Sequence, residues 1–191
     1  MPDRLRLALI IGTTGEGRFG DVLGRWLAGE AQQSGLFDVR VMGLNPPDSL
    51  PIQGRWDLSV EGVAAFRDQL AEADAFLVVT PEYNHGYPAG LKHAIDQTVR
   101  EWAAKPVAFA SYGGMSGGLR AVEQLRQVFV EMHAVNVREG LSFHGSSRTF
   151  GEDGQPLDLA ATRAAAQVMF ERMAWWGRAL KAARGEAPYW G

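Results

Sequence analysis

Apolar residues in this chain fall into short runs, and the stretches between them carry helical spacing. Leu5–Ile11, Val39–Leu44, Ala75–Thr80 and Pro106–Ala110 read as strands, with a shorter one near Val135–Val137 or Leu141–Phe143. Ala75–Thr80 is almost wholly apolar, as expected of a parallel strand covered on both faces. Helical periodicity predicts helices over about Asp21–Gln33, Val60–Glu72, Ala89–Val99 and Leu119–Met132, and a long last one over roughly Leu157–Ala183. Repeated β-α alternation implies an α/β sheet with right-handed crossovers. Gly43–Gly54 reads as a loop and not a linker, because the pattern resumes in phase after it. Residues 1–191 are therefore expected to form one domain. The closing Ala187–Gly191 reads as a short, disordered end.

Composition narrows the partners. At 191 residues, 46% hydrophobic and 21% charged, the chain can bury a sizeable core and has the balance of an ordinary soluble globule. A net charge of −3 and a pI of about 5.8 supply no general basic footprint for nucleic acid. With no cysteine, disulfides, thiolate metal sites and a cysteine nucleophile are excluded. The first apolar run ends at Gly12, too short for a secretory signal core, and no stretch approaches a membrane span. A cytoplasmic protein with neither a membrane nor a nucleic-acid partner is the expectation. His85, His93, His133 and His144 are scattered and no H-E-x-x-H occurs, so no metal site is expected.

Three loops, each at the predicted C-terminal end of a strand, carry the candidate chemistry; in a doubly wound sheet such ends share one edge. The first is Gly12-Thr-Thr-Gly-Glu-Gly-Arg-Phe-Gly20, ahead of a helix. Its glycines let backbone amides converge, the helix N-terminus favours an anion, and Thr13, Thr14 and Arg18 add donors and charge. It lacks the Gly-Lys-Ser/Thr ending of a P-loop. Gly15, Gly17 and Gly20 form a literal G-x-G-x-x-G, but Gly12, Thr13 and Thr14 intervene after the strand and Val39–Asn45 holds no acidic residue. A single phosphate fits this loop better than a pyrophosphate.

The second loop is Thr80-Pro-Glu-Tyr-Asn-His-Gly-Tyr-Pro88. Pro81 and Pro88 restrict its ends, Gly86 permits a bend, and Tyr83 and Tyr87 offer flat faces with polar tips. Glu82, taken alone, reads as a solvated loop carboxylate, and Lys92–Asp96 as a surface ion pair one helical turn apart. The third loop, Ser111-Tyr-Gly-Gly-Met-Ser-Gly-Gly118, leads into the run Leu119–Arg126.

Pro81-Glu-Tyr-Asn84 resembles the PEYN loop of the NAD(P)H-dependent FMN reductases, a flavodoxin-like family. The first loop is similar to that family's Gly-Ser-x-Arg-x-Gly-Arg-x-Gly pattern, with Thr13 at the serine position and Gly15 where the family carries arginine. The third loop and Leu119–Arg126 also resemble it, and the likeness spans roughly Ala8 to Val137. The resemblance implies a flavodoxin-like, five-stranded parallel sheet of order 2-1-3-4-5 with helices on both faces, binding FMN noncovalently. Thr13, Thr14, Arg18, Phe19 and Gly20 would then take the phosphate, and Pro81, Glu82, Tyr83 and Asn84 would lie beside the ring. Ser111, Tyr112, Gly113 and Gly114 would close over its other side. The implied activity is hydride transfer from NADPH or NADH to flavin and on to a small acceptor such as free flavin or a quinone. The cofactor performs that chemistry, so no side chain is assigned as catalytic. A homodimer or homotetramer is also implied.

Two rivals remain open. A flavodoxin-type electron carrier would bind flavin without consuming NAD(P)H, although such carriers tend to be strongly acidic. Gly114-Met-Ser116-Gly-Gly118 is a literal G-x-S-x-G, and Glu131 or Glu139 followed by His144 supplies the chain order of a serine hydrolase triad. That arrangement lacks an upstream oxyanion loop and leaves the first two loops unexplained.

Overall fold

Ala75–Pro81 is buried at every position, and this strand, β3, is the middle of a five-stranded sheet. The computed structural model describes residues 3–13, 17–44 and 61–190. In chain order the elements are β1 (Leu5–Ile11), α1 (Phe19–Gln33), β2 (Phe37–Gly43), α2 (Glu61–Glu72), β3, α3 (Ala89–Asp96), β4 (Pro106–Gly113), α4 (Leu119–Glu131), β5 (Val135–His144) and α5 (Leu159–Glu186). Every neighbouring pair is parallel and the order is β2-β1-β3-β4-β5, as expected of a flavodoxin-like sheet. The Val60 start of the second helix and the 45–54 part of the loop before it lie outside the described residues.

Period-two alternation divides the core into two. Leu7, Leu9, Leu77, Val79 and Ala110 face α1 and α5, meeting Leu23, Leu27, Met169 and Phe170. Ile10, Phe76, Val78, Val107 and Phe109 face the other way, onto Phe66 and Leu70 of α2, Leu91 and Ile95 of α3, and Leu125 and Phe129 of α4. Each fully buried side chain of this size contributes on the order of 2 kcal/mol. β3 and β4 have apolar residues on both faces because both faces are covered; β2, at one edge, leaves Val41 47% exposed.

The two candidate fifth strands are one element. Pairing runs Val107↔Asn136 and then Phe109↔Gly140, so four steps along β5 oppose two along β4. The excess residues Arg138 and Glu139 interrupt the apolar run without ending the strand, as a bulge does. α3 stops at Asp96, earlier than its periodicity predicts, and a single 3-10 turn at Arg100–Trp102 follows. That turn drives Trp102 into the core, 1% exposed, between Phe76 at 4.6 Å and Phe129 at 5.2 Å. Residues 189 and 190 are seated: Trp190 packs edge-on against His133, whose Nδ1 lies 2.9 Å from the Tyr189 hydroxyl.

Candidate functional site

The three loops do meet on one edge of the sheet. β1, β3 and β4 are parallel neighbours, so the chain leaves all three at the same end. Beyond Pro81↔Tyr112 the pairing continues one step, Glu82 N–H donating to the Tyr112 carbonyl at 3.0 Å. Arg18 Nη1 reaches the Tyr83 hydroxyl at 3.3 Å, bridging the first loop to the second.

In the first loop Thr14 lies outside the described residues. Thr13 is 1% exposed, and its Oγ1 has no hydrogen-bond partner of good geometry. Helix α1 opens behind it with Arg18 as N-cap; Asp21 accepts the Arg18 amide at 3.1 Å and returns its own amide to the Arg18 carbonyl at 2.9 Å. Gly20 is where the loop meets β4. A Cβ there would sit 2.7 Å from the Tyr112 hydroxyl and 3.1 Å from Thr13 Oγ1, so a larger residue would have to displace both. Tyr112 thus points inward beneath the first loop, its ring edge-on to Phe19 at 5.1 Å. Burial, and then the nearby Tyr83, push its phenol up to about 12, against the hydrogen bonding offered by Thr13 and the Gly20 amide. Phe19 is also turned inward, packing on Phe150 at 5.0 Å.

The second loop is a two-residue hairpin. Tyr83 and Gly86 exchange both backbone bonds, at 2.8 and 3.0 Å, with Asn84 at φ 49° and His85 at φ 70° between them. Paired positive φ values define the turn that suits a right-handed twist, and asparagine tolerates them better than most residues. Tyr83 is 45% exposed at the rim. Glu82 is not the solvated carboxylate its sequence context suggests: its side chain is 5% exposed and pairs with Arg120 Nε at 2.6 Å. Burial pushes its carboxyl up, but the Ser116 hydrogen bond and the charge and hydrogen bonds of Arg120 prevail and hold it below the usual carboxylate range. Lys92 and Asp96 form the expected pair, 2.7 Å apart.

The third loop is pinned from beneath. Ser111 Oγ, 1% exposed, donates to the Gly117 carbonyl at 2.9 Å, as does Ser142 Oγ at 2.9 Å. The Gly145 amide bridges the Gly113 and Gly114 carbonyls at 2.9 and 3.0 Å, and His144 Nδ1 donates to the Met115 carbonyl at 2.9 Å. Gly118, at φ 88°, is the N-cap of α4, and a Cβ there would meet Ser111 Cβ at 2.6 Å. The backbone is held while the Met115 side chain stands 96% exposed at the tip.

This geometry leaves the hydrolase triad unassembled. Ser116 gives its hydrogen bond to Glu82, and the His144 imidazole serves Met115 and lies 3.2 Å from Ser142, not Ser116. Sequence reasoning missed Arg120, Gln124, Ser142 and His144 as loop supports. Their partners lie 38, 39, 25 and 29 residues away, and the one available signal was the Leu119–Arg126 run itself.

The family model for NADPH-dependent FMN reductase matches residues 5–148. A NAD(P)H-dependent FMN reductase from Schizosaccharomyces pombe is 31% identical over 156 residues, which cover 74% of this chain and 78% of that protein. A probable NADPH:quinone oxidoreductase from Oryza sativa subsp. japonica is 33% identical over 182 residues, 89% of this chain and 91% of the relative. Among solved structures, FerB of Paracoccus denitrificans, a flavoenzyme NAD(P)H:(acceptor) oxidoreductase, aligns with a TM-score of 0.75 over 92% of this chain and 98% of its own, at 22% identity. That last likeness is one of fold. The chain belongs to the NADPH-dependent FMN reductase family.

Proposed function

We infer that this protein is an FMN-dependent NAD(P)H oxidoreductase that passes electrons to a small acceptor, free flavin or a quinone being the classes its relatives' names point to. The observation that carries the reading is the convergence of three loops on one sheet edge, bridged by Arg18 and Tyr83, in a chain matched by the family over residues 5–148. The residues present fit a flavin phosphate: Thr13 Oγ1 is a buried polar atom with no hydrogen bond of good geometry among the described residues, beside the N-terminus of α1 where the helix dipole favours an anion.

Thr13, Thr14, Arg18, Phe19 and Gly20 would hold the phosphate end, with Phe19 acting through its backbone because its ring is packed inward. Pro81, Glu82, Tyr83 and Asn84 would frame the ring. The hairpin's own bonds use the amides of Tyr83 and Gly86, not those of Asn84 and His85, which remain to donate to a polar ring edge. Ser111, Tyr112, Gly113 and Gly114 would cover the other side through main-chain atoms, since the Ser111 and Tyr112 side chains are turned into the protein. FMN, when bound, supplies the hydride-accepting centre and the redox step. The protein would orient it, neutralise its phosphate and, for nicotinamide to approach, leave one face open. An open face discriminates poorly among acceptors. By family resemblance the enzyme would be a homodimer or homotetramer, and from its sequence a cytoplasmic, single-domain chain; no helix among the described residues is long and apolar enough to cross a membrane.

The test is a visible spectrum of the purified protein with FMN, followed anaerobically on adding NADPH or NADH. Bleaching of a bound-flavin band, with steady NAD(P)H oxidation once acceptor is added, is the expected result. A flavin band that neither nicotinamide bleaches would make the protein an electron carrier. No flavin binding would overturn the reading altogether.

A further inference from the structure

Arg120 occupies the first turn of α4, where the helix dipole disfavours a cation and Gly118 caps without a side chain. Its position is explained by what it reaches outside the helix. The guanidinium Nε lies 2.6 Å from Glu82 Oε1, and the Arg120 amide donates to Glu82 Oε2 at 3.2 Å. Both carboxylate oxygens are therefore held by one residue, and Glu82 takes the place of the missing N-cap side chain. Ser116 adds a third hydrogen bond to the same carboxylate from the third loop.

Arg120 Nη1 also meets His85 Nε2. Arginine only donates, so His85 Nε2 is the accepting atom of this contact. One turn further along α4, Gln124 Nε2 donates to the His85 carbonyl at 2.9 Å. These bonds converge on a hairpin whose central residues, Asn84 and His85, both sit in the left-handed region that side chains other than glycine's disfavour.

We propose that Arg120 is a positioning residue: it latches the 82–85 segment to α4, so that the ring-framing loop and the loop ahead of α4 hold one shared geometry. The inference rests on the flavoenzyme reading above for its consequence, but the latch is a property of the protein alone. Arg120 touches no reacting atom; it acts through Glu82 and His85.

The experiment uses the full chain with Arg120→Ala, Arg120→Lys, Glu82→Ala and the double variant. FMN affinity is read by quenching of flavin fluorescence, the bound flavin's midpoint potential and absorption bands are recorded, and amide exchange at residues 82–86 is followed in the apoprotein. Arg120→Ala is expected to weaken FMN binding about tenfold, what one charge-assisted hydrogen bond contributes. It should also shift the flavin potential and speed exchange at 82–86, with Arg120→Lys recovering part of each. The double variant should bind no more weakly than Glu82→Ala, because the two residues act as one unit. Wild-type affinity and exchange in Arg120→Ala, or additive losses in the double variant, would overturn the proposal. Should Arg120→Ala fail to fold, Gln124→Ala removes one contact alone, and unchanged exchange at His85 would count against the latch. A wild-type protein that binds no FMN would remove the functional reading, while the exchange measurement would still decide the latch.

Discussion

Lys105 lies at the end of the sheet away from the loops, and its stability should depend on pH in a direction opposite to ordinary alkaline denaturation. It is 6% exposed just before β4. Its Nζ donates to the carbonyls of Leu70 at 2.8 Å and Ala71 at 3.0 Å, in the last turn of α2, and lies 5.5 Å over the Phe76 ring. Those contacts favour the charged form; burial opposes it. Burial is the largest influence and the Arg184 charge adds to it, so the ammonium falls from 10.5 to about 8 despite attraction from Asp74 and Glu101. That gap corresponds to about 3 kcal/mol between the two protonation states. Because the folded group gives up its proton at lower pH than the unfolded one, the unfolded chain binds more protons between about pH 8 and about pH 10.5. Stability contributed by this group therefore rises with pH across that window and is flat below it.

The perturbation is Lys105→Met, which keeps the length and removes the charge. Its loss of two carbonyl bonds shifts stability by a pH-independent amount, so only the change with pH is diagnostic. Urea unfolding of both proteins, followed by tryptophan fluorescence, should show the wild type gaining about 2 kcal/mol over the variant between about pH 7 and about pH 10. Tyr112, pushed up to about 12, acts the other way above pH 10, but both proteins contain it and it cancels in the difference. Parallel pH curves would refute the reasoning, showing that the α2 carbonyls and the Phe76 ring keep Lys105 charged in spite of its burial.

Other expectations concern the site. Thr13→Val removes a buried hydroxyl that has no well-aligned partner among the described residues and only the Tyr112 phenol beside it, so the apoprotein's stability should change by no more than about 1 kcal/mol. FMN affinity should fall about tenfold; an unchanged dissociation constant would take Thr13 out of the phosphate grip. Arg18→Ala should weaken FMN binding, most visibly at low salt, because its guanidinium is the described cation that bridges the first two loops. Equal affinity at all salt concentrations would remove it from the site. Gly118→Ala puts a Cβ 2.6 Å from Ser111 Cβ and 2.8 Å from the Tyr112 amide at φ 88°, and should cost about 3 kcal/mol in thermal unfolding. An unaltered melting temperature would show that the third loop is not packed as described.

The sheet and its loops were legible in the chain because their signals are local. The apolar run Ala75–Thr80 announced a strand covered on both faces, and β3 is buried at every residue. Pro81 and Pro88 bracketed a turn, and Asn84 suited the positive φ it adopts. Family resemblance at Pro81–Asn84 and along Leu119–Arg126 then pointed to the parallel order and to flavin. Even where the local signal was broken, at Arg138 and Glu139, the break was a bulge within one strand and not a boundary.

What the sequence could not reveal was which side chains the loops turn inward. Tyr112 reads as a ring-covering residue, yet its hydroxyl lies beneath Gly20. Glu82 reads as a solvated acid, yet its carboxylate is buried against an arginine 38 residues away. Core is the commoner fate of a tryptophan such as Trp102, but only the structure shows its neighbours: a single turn of 3-10 helix places it between Phe76 and Phe129. Hydrophobic periodicity is a property of neighbours along the chain, and it specifies the elements and the faces they bury. Hydrogen-bond partners at the sheet edge are chosen by proximity across strands and helices, which exists only once β1, β3 and β4 lie side by side.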